Sequence, residues 1–380
     1  MSKQDRYSRL RLIPWWDQKI MSGARFMVAG AGALGNEILK NLALVGAGHI
    51  LIVDFDDVEL SNLSRSVLFR AEDVGQKKAV VAARRIREIN PDVQAAFFCG
   101  DITIDAGAGA FRGFDVVLAG VDNFKARIFI NRACEKAGVP WINGGIQAMV
   151  GEVHVYIPGG GACFECNLPQ QAYKELGHRL SCLPPVKEED RGKVPTTPTI
   201  ASIIAAIQVQ EALKLVHGIE VRGGSGLIFN GLKNESLPVL FKQNDQCLQH
   251  SRAGAIKHIG GNAAGLTVEK LLDSLDGDAG DGNRIALEYD LVYRLECACG
   301  MKVEKLYRLD AMKQEDYICP GCGKLMAASM TSVLDRSGPC KDRTLAECHV
   351  PPLEIITVKN AGSQYCIELD GDRDSLFKFV

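Results

Sequence analysis

The chain of 380 residues predicts an α/β protein: a doubly wound, mostly parallel sheet with added antiparallel strands, followed by a smaller, β-rich, zinc-binding C-terminal domain. Three observations lead there. Between residues 25 and 143, short apolar runs alternate with helical segments, the pattern of a parallel sheet covered on both faces. A glycine-rich turn follows the first of these runs directly. After about Arg252 the composition changes to glycine- and aspartate-rich loops, strand-like alternation and paired cysteines.

The elements follow in order. Arg25–Ala29 is predicted as a strand that runs into Gly30, Gly32 and Gly35 and a helix extending to about Val45. His49–Asp54 is a second strand. Gln76–Asn90 is a helix stopped by Pro91, which cannot continue it. Gln94–Cys99 and Asp115–Asp122 are strands, Phe124–Lys136 a helix and Trp141–Asn143 a short strand. Glu152–Ile157 and Gly226–Asn230 are added strands, and Thr197–Val216 is a long helix. The polar segment 170–197 is a crossover between them. These readings place one domain at 1–252 and an accessory domain at 253–380, with strands at Tyr289–Leu295, Leu353–Lys359 and Gln364–Leu369 and loops at Gly260–Gly265 and Asp276–Gly282.

Composition narrows the function classes. A net charge of −2 and 24% charged residues give no broad surface for nucleic acid or membrane. The polar start of the chain reads as no signal peptide, and Ile200–Val216 is interrupted by Ser202, Gln208, Gln210, Glu211 and Lys214, as in a buried helix. The expectation is a cytoplasmic protein. In a reducing compartment, thirteen cysteines with several clustered in pairs suggest zinc rather than disulfides.

The glycine turn places helix-start amides against a phosphate, and Asp54 at the end of the second strand is placed for ribose hydroxyls. That Rossmann-like pattern fits a dinucleotide equally well. The residues after it decide. Arg65 and Lys78 bring positive charge to where a polyphosphate would lie, and Asn62 supplies a hydrogen-bond donor. Asp122 ends a later strand, where a carboxylate beside phosphates is a natural magnesium ligand, unless it only caps the helix that follows.

With Arg6-Tyr-Ser-Arg9, the glycines, Asp54-x-Asp56-x-Val58, Ser61-Asn-Leu-x-Arg65, Val74-Gly-Gln-x-Lys78 and Asp122-Asn123 in this order, the chain resembles the ubiquitin-activating superfamily, which includes MoeB, ThiF and the eukaryotic activating enzymes. The resemblance covers roughly residues 5–252. It implies ATP as substrate, Asp54 on the ribose, Asn62, Arg65 and Lys78 on the phosphates, and Asp122 serving magnesium. It also implies that Arg9 reaches into the partner subunit's site of a homodimer. Ser66 stands where the family usually has glutamine.

The implied reaction is attack of the C-terminal carboxylate of a ubiquitin-like protein on the α-phosphate of ATP, carried by positioning and positive charge. Cys182, in a polar, proline-bounded segment beside Lys174, His178 and Arg179, is placed to take the acyl group as a thioester, and the resembling enzymes carry a reactive cysteine there. Position alone suggests that residues 253–380 recruit a conjugating enzyme, or else serve dimerisation or stability. Cys163, Cys166, Cys247 and His250 form a candidate structural zinc site, with histidine where the family has a fourth cysteine. Cys297, Cys299, Cys319 and Cys322 suggest a second zinc in a ribbon-like module, with Cys340, Cys348 or His349 as substitute ligands.

Three other readings compete. A sulfur-carrier adenylyltransferase would share the adenylation and stop before thioester transfer. An NAD-dependent oxidoreductase would explain the glycines and Asp54 but leave Arg9, Arg65 and Lys78 without work. A non-catalytic scaffold subunit would not be expected to keep the whole acidic and basic set.

Overall fold

The computed structural model describes residues 5–168, 195–250, 256–279, 282–360, 363–369, 371 and 377–379. They form two compact units, the first containing the chain up to Asn167, the stretch to Arg252 and the chain's end, the second containing Ala253–Asp372.

In the first unit a short helix α1 (Gln18–Gly23), capped by the Asp17 carboxylate on the Lys19 amide at 2.8 Å, precedes β1 (Arg25–Ala29) and α2 (Ala33–Val45). Then come β2 (His49–Val53), α3 (Lys78–Ile89), β3 (Gln94–Phe98), β4 (Val116–Ala119), α4 (Phe124–Ala137), β5 (Trp141–Gln147), β6 (Val150–Tyr156), α5 (Pro198–Val216), β7 (Ser225–Asn230) and β8 (Glu235–Leu240). The neighbours β3-β2-β1-β4-β5 are parallel, and β6, β7 and β8 extend the sheet antiparallel. Strand order therefore reverses between β1 and β4, the switch point where open α/β sheets open a crevice for ligands.

Apolar strand residues Phe26, Val28, Ile50, Ile52, Leu118 and Ile142 pack under Ile38 and Leu42 of α2, Ile86 of α3 and Ile204 of α5. Helix α5 is long and apolar enough to cross a membrane by length and composition alone. Here its Ile200, Ala201, Ile204, Ala205 and Val209 are buried in this core. Its fully buried Gln208 donates from Nε2 to the Ala119 and Ile142 carbonyls, at 3.0 and 3.1 Å, tying the ends of β4 and β5 together. Gln208→Leu would remove two buried hydrogen bonds, at about 0.5–1.5 kcal/mol each. Thermal unfolding of this variant should show a midpoint about 5 °C lower, and a shift under about 1 °C would show that the staple contributes nothing.

Helix α3 starts at Lys78 rather than at Gln76. The Gln76 carbonyl accepts from the Val58 amide at 2.8 Å and the Lys78 amide donates to the Asp56 carbonyl at 3.0 Å, so these residues are held against the loop after β2. Strand β8 and the terminal strand described below were not foreseen from the sequence.

The second unit holds β9 (Ile256–Ile259), α6 (Val268–Ala279), β10 (Arg284–Glu296), β11 (Lys302–Val303), β12 (Tyr307–Arg308), β13 (Ala327–Leu334), β14 (Ile355–Lys359) and β15 (Gln364–Leu369). The sheet runs β11-β10-β14-β15-β9, with β12 and β13 also on the long β10; among the described residues only β15 and β9 pair in parallel. Helix α6 occupies part of the predicted loop at 276–282. Val268, Leu271, Leu272 and Leu275, at helical spacing, are all buried and override the glycines and aspartates after them. Strand β16 (Lys378–Phe379) returns to the first unit and pairs antiparallel with β3, with Phe377 set edge-on to Phe98 at 6.5 Å. The division at 252/253 did not anticipate that return.

Candidate nucleotide site and metal centres

The glycine turn lies at the switch point. Gly30 has φ +91°, and a Cβ there would meet the Gly120 carbonyl oxygen at 2.8 Å. At Gly35 a Cβ would sit 1.9 Å from the Gly30 oxygen, so the first turn of α2 can close on β1 only without a side chain. Gly32 is the N-cap of α2 and carries no side chain between the helix start and a ligand. The turn thus offers backbone amides and the positive end of a helix to an anion.

Asp54, just past β2, accepts from the Ala31 amide through Oδ2 at 2.6 Å and from the Asp56 amide through Oδ1 at 2.9 Å. Burial pushes its carboxyl pKa up, and the two amides and Lys78 pull it back. Each oxygen keeps a free lone-pair direction, as a ribose diol would need. Lys78, the first residue of α3, is buried and donates from Nζ to Asp56 Oδ2 at 2.7 Å. Asp56 therefore positions the lysine. Asn62 is buried and its Oδ1 accepts from the Glu59 amide at 3.0 Å, while its amide nitrogen has no partner among the described residues. Arg65, half-buried, donates to the Ser61 carbonyl at 2.8 Å. Ser66 is buried.

Asp122 is exposed in the loop after β4 and is not the helix cap. Asn123 is, accepting the Ala126 amide at 2.8 Å. The only side-chain bond to Asp122 among the described residues is a 3.4 Å contact from Asn123 Nδ2. An uncommitted carboxylate next to the glycine turn fits a magnesium ligand. Arg127, given no role from the sequence, donates from Nη2 to the Val121 carbonyl at 3.1 Å and the Gly144 carbonyl at 3.3 Å, anchoring that loop to β5. Burial draws its pKa down, and the charges of Glu152, Tyr156 and Asp122 raise it again. Its position one turn after the capping asparagine was the available signal. Arg9 is exposed before a single turn at Leu10–Leu12, and among the described residues nothing bonds its side chain to this crest. Cys182 lies outside the described residues, as does most of segment 170–197.

Cys163, Cys166, Cys247 and His250 converge in the first unit, their ligand atoms all within 4.8 Å. Cys163 Sγ lies 3.8 Å from Cys166 Sγ and 3.7 Å from Cys247 Sγ. Two sulfurs each about 2.3 Å from a tetrahedral zinc are about 3.8 Å apart, so these sulfur spacings fit that ion. His250 Nε2 stands 2.8 Å from Cys166 Sγ, and burial lowers its pKa, which favours the neutral imidazole that ligates. The knuckle is braced by Glu165, fully buried and paired with Arg132 at 2.9 Å, and by Asn131, whose Oδ1 accepts the Phe164 amide at 3.0 Å.

In the second unit Cys297, Cys299, Cys319 and Cys322 form the other cluster. Cys297 and Cys322 are 3.4 Å apart at sulfur, and Cys299 and Cys319 3.7 Å. Against the cost of burial, the amides of Cys322 and Gly321 and the thiols of Cys297 and Cys299 hold Cys319 at about 7. This set also fits zinc. The proposed substitutes do not join it. Cys340 and Cys348 are buried in the core around α6, and His349 Nε2 bonds the Leu306 carbonyl at 3.0 Å.

Comparison with known proteins agrees with this architecture. Residues 5–249 match the model of the ThiF family. A sulfur carrier protein adenylyltransferase of Thermus thermophilus is 29% identical over 64% of this chain and 89% of its own length. The ubiquitin-like modifier-activating enzyme 5 of Oryza sativa is 31% identical over 58% of this chain and 54% of its own length. Mouse adenylyltransferase and sulfurtransferase MOCS3 is 32% identical over 60% of this chain and 48% of its own length. The chain thus spans about half the length of the latter two. Among solved structures, E. coli MccB with ATP aligns at a TM-score of 0.54 and 22% identity, over 65% of this chain and 74% of that one, a likeness of fold. With a family match over more than half of its length, the chain belongs to the ThiF family.

Proposed function

We propose that this protein uses ATP and magnesium to adenylate the C-terminal carboxylate of a ubiquitin-like protein, takes the acyl group as a thioester on Cys182 and passes it to a conjugating enzyme. The observation that carries the adenylation is the crest at the switch point. Gly30 packs against Gly120, two residues before the uncommitted Asp122; Asp54 takes the Ala31 amide of the glycine turn, and Lys78 is held by Asp56 beside it, an arrangement that supports a ribose on Asp54. In this reading the glycine amides and Lys78 hold the triphosphate, and Asp122 holds the magnesium. Magnesium supplies charge neutralisation on the phosphates.

The thioester step is supported by the cysteine in the crossover and by the activating enzymes among the relatives. The second unit, outside the family match, is the candidate for conjugating-enzyme recruitment. The Thermus adenylyltransferase, matched over most of its length, favours a second reading in which the enzyme activates a sulfur carrier and stops at the adenylate.

Intact mass spectrometry of the full chain with ATP, magnesium and a panel of diglycine-tailed small proteins separates the two. A reductant-sensitive adduct absent in Cys182→Ala is the expected result. Pyrophosphate release without any adduct would replace the thioester reading by the sulfur-carrier one, and no release with any panel member would overturn adenylation.

A further inference from the structure

Beyond the crest, one charged pair in the first unit is set up for an anion that is not its own. Arg127 is largely buried, with its side chain 15% exposed. Two of its bonds go to backbone carbonyls, which spend donors but leave its charge unpaired. The nearest carboxylate is Glu152, with Oε1 3.9 Å from Nη1, beyond hydrogen-bond reach, and its side chain is 40% exposed. Arg127 Nε is buried with no partner among the described residues. A buried guanidinium usually holds its carboxylate in a close, bidentate fork. Here the counter-charge stands off and can swing into water.

The setting favours an extended chain end as the visitor. Glu152 lies opposite Gly145 across β5 and β6, and a Cβ on Gly145 would come within 2.9 Å of Glu152 Oε1. The strand beside the pair therefore presents only backbone. Next to Gly145, the Gly144 carbonyl is itself held by Arg127, as is the Val121 carbonyl immediately before Asp122. Arg127 is thereby tied to the loop that carries Asp122, close enough for the two charges to interact.

We propose that Arg127 receives the C-terminal carboxylate of the polypeptide substrate and that Glu152 is the placeholder it displaces. This rests on the adenylation reading. An incoming carboxylate takes the place beside Nη1, and Glu152 turns to solvent. One carboxylate oxygen then forms a bond to the α-phosphorus of ATP, the bond from that phosphorus to the bridging oxygen breaks, and pyrophosphate leaves with the electron pair. No proton transfer is required, because the nucleophile is already ionised. Glu152 thus sets a threshold: a chain end must carry a full negative charge to replace it.

The test is ATP–pyrophosphate exchange by the full chain with whichever diglycine-tailed panel protein supports it. Arg127→Gln should raise KM for that protein about 30-fold or more, with KM for ATP within about twofold of wild type, as expected for loss of a charge-assisted contact. Glu152→Gln should lower the protein KM several-fold, because the competing carboxylate is gone, and Arg127→Lys should recover part of the loss. If Arg127 did nothing beyond anchoring the Asp122 loop, Arg127→Gln would lower kcat and shift the magnesium dependence with the protein KM unchanged, and Glu152→Gln would not lower KM. Either result overturns the proposal while leaving adenylation intact. A measurement without any protein substrate decides the same point: crystals soaked with a non-hydrolysable ATP analogue and 50 mM glycylglycine (roughly tenfold above a 5 mM, or about 3 kcal/mol, interaction) should show the dipeptide carboxylate on Arg127 with Glu152 turned away. A dipeptide bound elsewhere, or none at Arg127, overturns the assignment even where no panel protein supports exchange.

Discussion

Asp122→Ala should lower ATP–pyrophosphate exchange by about a thousandfold and leave the fold intact. Both halves follow from where the side chain is. It is exposed, it does not cap α4, and its one side-chain bond among the described residues is a long contact with its neighbour Asn123. Removing such a group costs about 0.5 kcal/mol of stability or less. Its proposed work lies with the magnesium, whose charge stabilisation is worth several kcal/mol, and about 4 kcal/mol is a factor of roughly a thousand in rate. The exchange rate and the unfolding midpoint of the same preparation check the prediction. Exchange within tenfold of wild type would remove Asp122 from the metal, and a large fall in midpoint would mean that it supports the loop instead.

The second large effect is expected at the mixed-ligand cluster. Cys163 is buried and its sulfur lies within 4 Å of two other ligand sulfurs, one of them 84 positions away in the chain. A zinc here would join the knuckle after β6 to the segment after β8, and structural zinc sites contribute about 10 kcal/mol or more to the folds they close. Cys163→Ser should therefore remove one of the metal ions found by elemental analysis and lower the unfolding midpoint by at least about 10 °C. His250→Cys should retain the ion, since zinc accepts either ligand. Unchanged zinc content in Cys163→Ser would sink the assignment. Loss of zinc in His250→Cys with retention in His250→Ala would remove the histidine from the ligand set.

Much of the fold was legible because its signals are local. The runs that became β1 to β4 are short and apolar, and the glycines that end β1 are demanded by a backbone conformation and by an approach of 1.9 Å that a side chain would forbid. The two cysteine knuckles are local pairs as well. The errors have local causes too. Helix α6 was hidden because Gly277 and the surrounding aspartates were given more weight than the four buried apolar residues at helical spacing. Asp122 and Asn123 are adjacent and both can cap a helix, so their division of labour could not be read from residue type.

The sequence by itself determined the order of β1 to β7 and of α2 to α5 among them, the glycine turn on which a nucleotide phosphate can rest, and the ligand types at both candidate metal clusters. Each is written in neighbouring residues, where periodicity, conformational need and donor chemistry act over a few positions. The tertiary structure alone decided that Asn123 caps α4 and frees Asp122, that Gln208 of α5 ties the ends of β4 and β5, and that Cys340 and Cys348 belong to a core rather than a ligand set. It also returned β16 to the edge of the first sheet and set Glu152 at a distance from Arg127. These depend on strand register and on which side chains fill the space between distant segments, and no period or spacing along the chain carries that information.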